Sequence, residues 1–239
     1  MAIIAKLKRH NQLVHFSYNN FIDSAPHTTD INEMAIGVEG AIKNWNYDPS
    51  KFFDVSADYK NALHHLTQVL EESTHDNPLY FIHMGPSEFL YRAVKNVVEN
   101  GHAASLAHVN IISHSGYNDN HLRRGDPKFD KKPVADDKKH HTLEQVIALS
   151  GGRMQYKRIK DQNGKWDPAL LWNSKHDWSV WQWMQAHQDK SVQWIYKRMK
   201  RHPDDVADIS DAGMVYFLLT GDEDGSPEKF RTFIGEGIN

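Results

Sequence analysis

At 239 residues the chain has room for one large or two small domains, since a domain usually holds roughly 100 to 200 residues, and a single domain over residues 1–239 is the expectation. Charged residues make up 25% and the hydrophobic set 39%, with 7 Trp, 9 Tyr and 10 Phe, enough apolar material for a sizeable core and too much for a disordered chain. The 28 Lys and Arg against 31 Asp and Glu leave a net charge of -3, no global field to hold a phosphate backbone, so a nucleic acid polymer is not an expected partner.

The absence of cysteine excludes disulfides, thiolate metal sites and thiol nucleophiles, and a cytoplasmic location is the simplest reading. No apolar run approaches the roughly 18 residues of a membrane span, and Met1 to His10 has no signal-peptide core, so a soluble protein without a membrane partner is expected.

Ala2 to Gln12 reads as a short amphipathic helix and Leu13 to Tyr18 as a strand, closed by the turn formers Asn19 and Asn20. Helices follow over Ile31 to Trp45 and Ser56 to Glu72, the second with Ser56 as its N-cap. Pro78 to Met84 is an almost continuous apolar run, the pattern of a parallel strand buried on both faces, and Gly85-Pro86 ends it. Ser87 then caps a helix through Val98, which Asn100-Gly101 terminates in left-handed geometry.

His108 to Ser115 repeats the strand pattern, and a long polar loop, residues 116–140, follows it. Thr142 and Gln145 make a capping-box pair for a helix ending at Gly151-Gly152, and Arg153 to Lys160 alternates as a strand. The C-terminal part reads as helical: Trp178 to Ala186, Ser191 to Lys200, Ser210 to Leu219 and a last turn or two after Ser226-Pro227. Strands alternating with helices predict the α/β class, an open mostly parallel sheet with helices on both faces. Ligands bind such sheets beyond the carboxyl ends of the strands.

Those ends carry Asn19 and Asn20; His83, Met84, Ser87 and Glu88; His114, Asn118 and Asp119; and Asp161 and Asn163. Amides and carboxylates at this density suit a polyhydroxylated ligand, although the same residue types are also ordinary loop formers. His83 and His114 stand close to their strand ends, where an imidazole can exchange protons near neutral pH. The adjacent pairs His64-His65 and His140-His141 do not share a helix face and read as surface. Trp178, Trp181 and Met184 recur at helical spacing, which favours core packing over sugar stacking, as for Trp172, Trp183 and Trp194 around them. The mixed charges of Asp136 to Lys139 read as a solvated loop.

Three segments resemble the nucleoside hydrolase superfamily, in a divergent branch: Leu13 to Asn20, Leu79 to Glu88 (LYFIHMGPSE) and Ile209 to Leu219 (ISDAGMVYFLL). The resemblance implies that family's Rossmann-like fold and Ca²⁺-dependent hydrolysis. It also implies an Asp-rich first strand ahead of the first helix, which is expected to be missing here, leaving an open sheet edge for a second copy of the chain to pair with. Carried over by position, Asp211 matches a metal-binding aspartate and the Met84 carbonyl a backbone ligand, while Ser210 stands where the family often has a histidine acid. Calcium takes 6 to 8 oxygens, so these two leave the site incomplete.

The implied reaction is attack of activated water on an anomeric carbon of a sugar-containing substrate, a nucleoside or an O-linked carbohydrate, through an oxocarbenium-like transition state. Asp119, Asp161 and Asp211 are the candidate bases or ligands, and His83 and His114 the candidate acids; Asn19, Asn20, Ser87, Glu88, Asn118 and Asn163 are the candidate substrate contacts. The alternative is a sugar-binding or assembly domain that keeps the scaffold without turnover.

Overall fold

A computed structural model describes residues 1–23, 33–163, 178–199 and 209–235. Ile31, Trp172 and Lys200 lie outside them. The chain divides into two compact units, Val14–Ile36 with Pro49–Arg158, and Met1–Leu13 with Gly37–Asp48 and Ile159–Asn239.

The first unit holds every strand of the described residues. β1 (Phe16–Tyr18) and β2 (Phe52–Asp54) pair in parallel, with Phe16 opposite Phe52. β3 (Leu79–Ile82), β4 (Val109–Ser113) and β5 (Gln155–Arg158) form a second parallel sheet in that order, with Leu79 opposite Val109 and Ile111 opposite Tyr156. Parallel neighbours need long crossovers, and here these contain α4 (Glu88–Glu99) between β3 and β4, and α5 (Gly116–Asn120) and α6 (Leu143–Leu149) between β4 and β5. α3 (Tyr59–Glu71) connects β2 to β3. The α/β class is therefore the observed one.

Period decides the core of this unit. Leu79, Phe81, Val109 and Ile111 share one sheet face because strand side chains alternate, and α4 meets them with Phe89, Leu90, Ala93, Val94 and Val97, a stripe of helical spacing. Leu66 and Leu70 of α3 and Leu143 and Val146 of α6 complete the same cluster. Each fully buried Leu or Phe contributes about 1.5 to 3 kcal/mol.

β2 has no counterpart in the sequence reading, because three residues are too few for a period to register. β3 is not buried on both faces: Tyr80 is 50% exposed, and β4 is the strand whose Val109, Ile111, Ile112 and Ser113 are all buried. An apolar run reports side-chain type, whereas the central place in the sheet belongs to the strand with two neighbours.

Asp58, rather than Ser56, caps α3, its carboxylate accepting from the Asn61 amide, while the Ser56 hydroxyl donates to Asp54 Oδ1 at 2.6 Å. Gly101 ends α4 at φ +82°, and the Thr142/Gln145 capping box opens α6. The segment 116–140 begins with α5 and then closes on itself. The His140 amide donates to the Arg124 carbonyl at 3.0 Å, Asp126 binds His121 and Arg123, and the Gly125 amide donates to Asp130 Oδ2 at 2.6 Å. Asp136 to Lys139 are exposed.

The second unit is helical. α1 (Ala2–Lys6) and the part of α2 (Glu33–Trp45) from Gly37 onward belong to it, with α7 (Lys190–Met199), α8 (Asp211–Thr220) and α9 (Pro227–Gly235). Trp178–Met184 is a 3₁₀ helix rather than an α-helix. Trp181 and Met184 are nonetheless fully buried, and Trp181 meets the Phe230 ring edge-on at 5.8 Å, as the packing reading expects. Among the described residues no helix is long and apolar enough to cross a membrane.

The Trp181 indole carries the largest fully buried side chain. Trp181→Ala is expected to lower the unfolding free energy by about 3 to 5 kcal/mol in urea titrations; a loss below about 1 kcal/mol would mean that the ring does not organise this unit.

Candidate functional site

The carboxyl ends of the strands in the first unit bring three of the expected residues together. His83 follows β3 directly, its amide extending the ladder to the Ile112 carbonyl at 2.9 Å. Ser87 lies one tight turn later, at the first turn of α4. It stands in the N-cap position yet makes no capping bond with its side chain; its Oγ instead lies 3.3 Å from His83 Nε2. Asp119 comes from α5, which Ser115 caps by accepting from the Asn118 amide.

Asp119 Oδ1 lies 3.8 Å from His83 Nε2 and accepts from Ser113 Oγ at 2.6 Å, while Oδ2 accepts from the Tyr156 hydroxyl at 2.8 Å. His83, Ser87 and Asp119 are 2%, 1% and 5% exposed. The cluster is thus a polar island assembled from β3, α4, β4, α5 and β5.

Burial pushes the His83 imidazole below its ordinary value, and His114 nearby adds to this; the Asp119 carboxylate and a hydrogen bond to the Asn118 backbone pull the other way. Burial accordingly favours the neutral imidazole, and the Asp119 carboxylate is the nearby charge that favours the imidazolium. Burial first, and then the bond to Asp119, raise the Tyr156 phenol far above its usual range, so it remains a donor.

Serine, histidine and aspartate invite comparison with an acyl-transfer triad, but the geometry differs. There the carboxylate binds one ring nitrogen and the serine the other. Here Ser87 and Asp119 both address Nε2. The arrangement suits proton uptake at one nitrogen more than activation of Ser87 as a nucleophile.

The remaining expected residues are dispersed. His114, 2% exposed, is close enough to His83 to act on its charge. Asn19, in the left-handed region at φ +55°, donates to Asp54 Oδ2 at 2.9 Å. The Asn20 side-chain oxygen faces Gly85, 4.0 Å from where a Cβ there would stand, so the ends of β1 and β3 converge. Met84 is half-buried beside them. Asp161 and Asn163 belong to the helical unit and bind each other, with Asn163 Nδ2 donating to Asp161 Oδ1 at 2.7 Å. Asp211 opens α8 in that same unit.

Glu88 anchors a second network. It is 4% exposed and accepts from Arg92 Nε at 2.9 Å through Oε1, and from the His141 amide at 3.0 Å through Oε2, with His141 Nδ1 at 2.9 Å. The His141 ring stacks on Tyr91 at 3.4 Å, and Arg92 reaches Asp23 at 2.7 Å. Neither His140 nor His141 is the surface residue expected: His140 is 6% exposed and His141 is tied to α4. Adjacency rules out a shared helix face, but these two lie in the extended stretch before Thr142, where one ring turns inward and the next to Glu88. His65 is also partly buried, its Nδ1 lying 3.0 Å from that of His15.

Calcium needs six to eight oxygens. Met84 and Asp211 belong to different units, and among the described residues no three His, Asp or Glu side chains form a group able to hold a metal.

The chain is similar to uncharacterized protein P22 of Formosa agariphila, with 23% identity over 240 residues that cover 94% of this chain and 77% of that protein. No known protein family and no solved structure matches it.

Sequence reasoning does not single out Tyr156, Ser113 or Arg92, and it reads His141 as surface. The one signal available was the need itself: a buried carboxylate requires donors, and hydroxyls at neighbouring strand ends are the nearest source.

Burial raises the Glu88 carboxyl, yet the bonds from His141 and Arg92 outweigh it and hold the group below its ordinary value. The unfolded state therefore binds the proton first. The stabilisation is complete above the unfolded value of about 4.3 and is lost as pH falls through the folded one. Glu88→Gln is expected to cost about 1 to 3 kcal/mol at neutral pH and to flatten the acid limb of stability measured by denaturation; an unchanged acid limb would remove Glu88 as its source.

Proposed function

We propose that this chain is a hydrolase acting on a glycosidic bond of a sugar-containing substrate, a nucleoside or an O-linked carbohydrate, by attack of activated water at the anomeric carbon. The observation that carries this reading is the buried His83, neutral and set between Ser87 and Asp119 at the carboxyl end of a parallel strand. A group that takes a proton from water, with a carboxylate 3.8 Å away to stabilise the resulting cation, is what water activation needs. His83 is the proton acceptor in this reading, Ser87 the hydroxyl that relays the proton, and Asp119 the counter-charge. Asn20 and Asn118, half-buried at the same strand ends, are the candidate hydroxyl contacts.

The nucleoside hydrolase-like fold belongs to the same proposal. It is supported by the LYFIHMGPSE segment, which forms a strand, a tight turn and a helix as the resemblance implies, and by the convergence of β1 and β3 at Asn20 and Gly85. Self-association is a further part of it: all four residues of β5, at the end of its sheet, are exposed. A mass measurement in solution checks it, and a monomer at all concentrations would remove it.

A second reading, a sugar-binding or assembly domain without turnover, is favoured by one observation. His83, Ser87 and Asp119 are nearly sealed from solvent, as a structural polar core would be. A panel of nucleosides and neutral oligosaccharides, assayed with and without Ca²⁺, separates the two. Turnover abolished by His83→Gln is the expected result; binding without turnover supports the second reading, and neither binding nor turnover on any member overturns both.

A further inference from the structure

One of the side chains bound to Asp119 comes from an exposed strand position. Tyr156 stands in the middle of β5, opposite Ile111 of β4, and is 41% exposed. Its hydroxyl nevertheless turns inward to Asp119 Oδ2 at 2.8 Å. Each oxygen of the carboxylate accepts from one hydroxyl, Oδ1 from Ser113 and Oδ2 from Tyr156. Ser113 shares its oxygen with His83, whereas Tyr156 alone holds the far oxygen. A carboxylate pinned at Oδ2 cannot rotate Oδ1 away from the imidazole without breaking that bond.

We infer that Tyr156 is the positioning residue of this cluster, holding Asp119 in the orientation that faces His83 and linking the buried Ser87, His83 and Asp119 chain to the surface of β5. It touches no reacting atom; it acts through Asp119. The inference rests on the reading of His83 as the proton acceptor. The groups facing the imidazole are Asp119 and the Asn118 backbone from α5, Ser87 from α4, the Phe81 ring from β3 and His114 after β4. Arg158 acts on Tyr156 from the same strand. Removing the phenol hydroxyl leaves the carboxylate with one donor fewer, so its charge is less dispersed and its hold on a protonated His83 is altered.

The test is Tyr156→Phe in the full chain, with Tyr117→Phe as control, since Tyr117 is 43% exposed and has no bond to Asp119. Carboxyl carbon-13 spectra, with Asp119 assigned through Asp119→Asn, report the hydrogen bonding of that carboxylate. Tyr156→Phe is expected to move the Asp119 carboxyl resonance, and Tyr117→Phe to leave it in place. An Asp119 resonance in Tyr156→Phe that coincides with the parent overturns the inference.

A second measurement uses the parent alone. The Tyr156 hydroxyl proton is expected to exchange slowly with D₂O, seen as a resolved isotope shift at Cζ, whereas the half-exposed Tyr80 exchanges quickly; equal rates also overturn it. On any sugar substrate the parent cleaves, Tyr156→Phe is expected to lower kcat about tenfold with KM within about twofold. A parent that cleaves nothing removes glycosidic hydrolysis while the Asp119 carboxyl resonance still decides the role of Tyr156.

Discussion

A carboxylate taken out of water must be supplied with hydrogen-bond donors or must give up its charge, because an unpaired buried anion costs several kcal/mol. Asp119 at 5% exposure meets that requirement with a hydroxyl on each oxygen and an imidazole 3.8 Å away. The donors come from β4 and β5 and the imidazole from the end of β3, so the three strands and α5 must be in register before the charge is satisfied. The site and the fold of this unit are therefore one cooperative arrangement. Loosening any of those elements strands a charge in the interior.

Glu88 applies the same constraint to a different purpose. Next to Ser87 in sequence, it faces away from the imidazole and spends its oxygens on Arg92 and His141. The effect is to tie the closing end of the segment 116–140 to the first turn of α4. Two buried carboxylates, contributed by α5 and α4, thus hold different neighbours: one lies 3.8 Å from a buried histidine, the other ties down the loop that follows α5. Tyr91 stacked on the His141 ring adds packing to the second.

Element type was legible where many residues vote. α4 announces itself through five buried positions at helical spacing and a glycine at φ +82° after it, and the capping box of α6 is visible as Thr142 and Gln145. β2 was illegible because three residues carry no period. Ser56 was misread because a serine near a helix start has two partners within reach, and here the Asp54 carboxylate wins over the α3 amides, leaving Asp58 as the cap. The 3₁₀ geometry of Trp178–Met184 was equally out of reach, since spacing of three or four serves both helix types.

The polar inventory at the strand ends follows from composition and pattern alone, and with it His83, Ser87 and Asp119 as candidates; local rules about where strands stop suffice for that. Their assembly does not follow. Which serine faces which imidazole, that Tyr156 turns inward from an exposed strand, and that His141 is drawn to α4 all depend on contacts between residues 4 to 53 positions apart in the chain. Such contacts are selected by the cost of leaving a buried charge unpaired, a quantity that exists only once distant segments have packed and water has left.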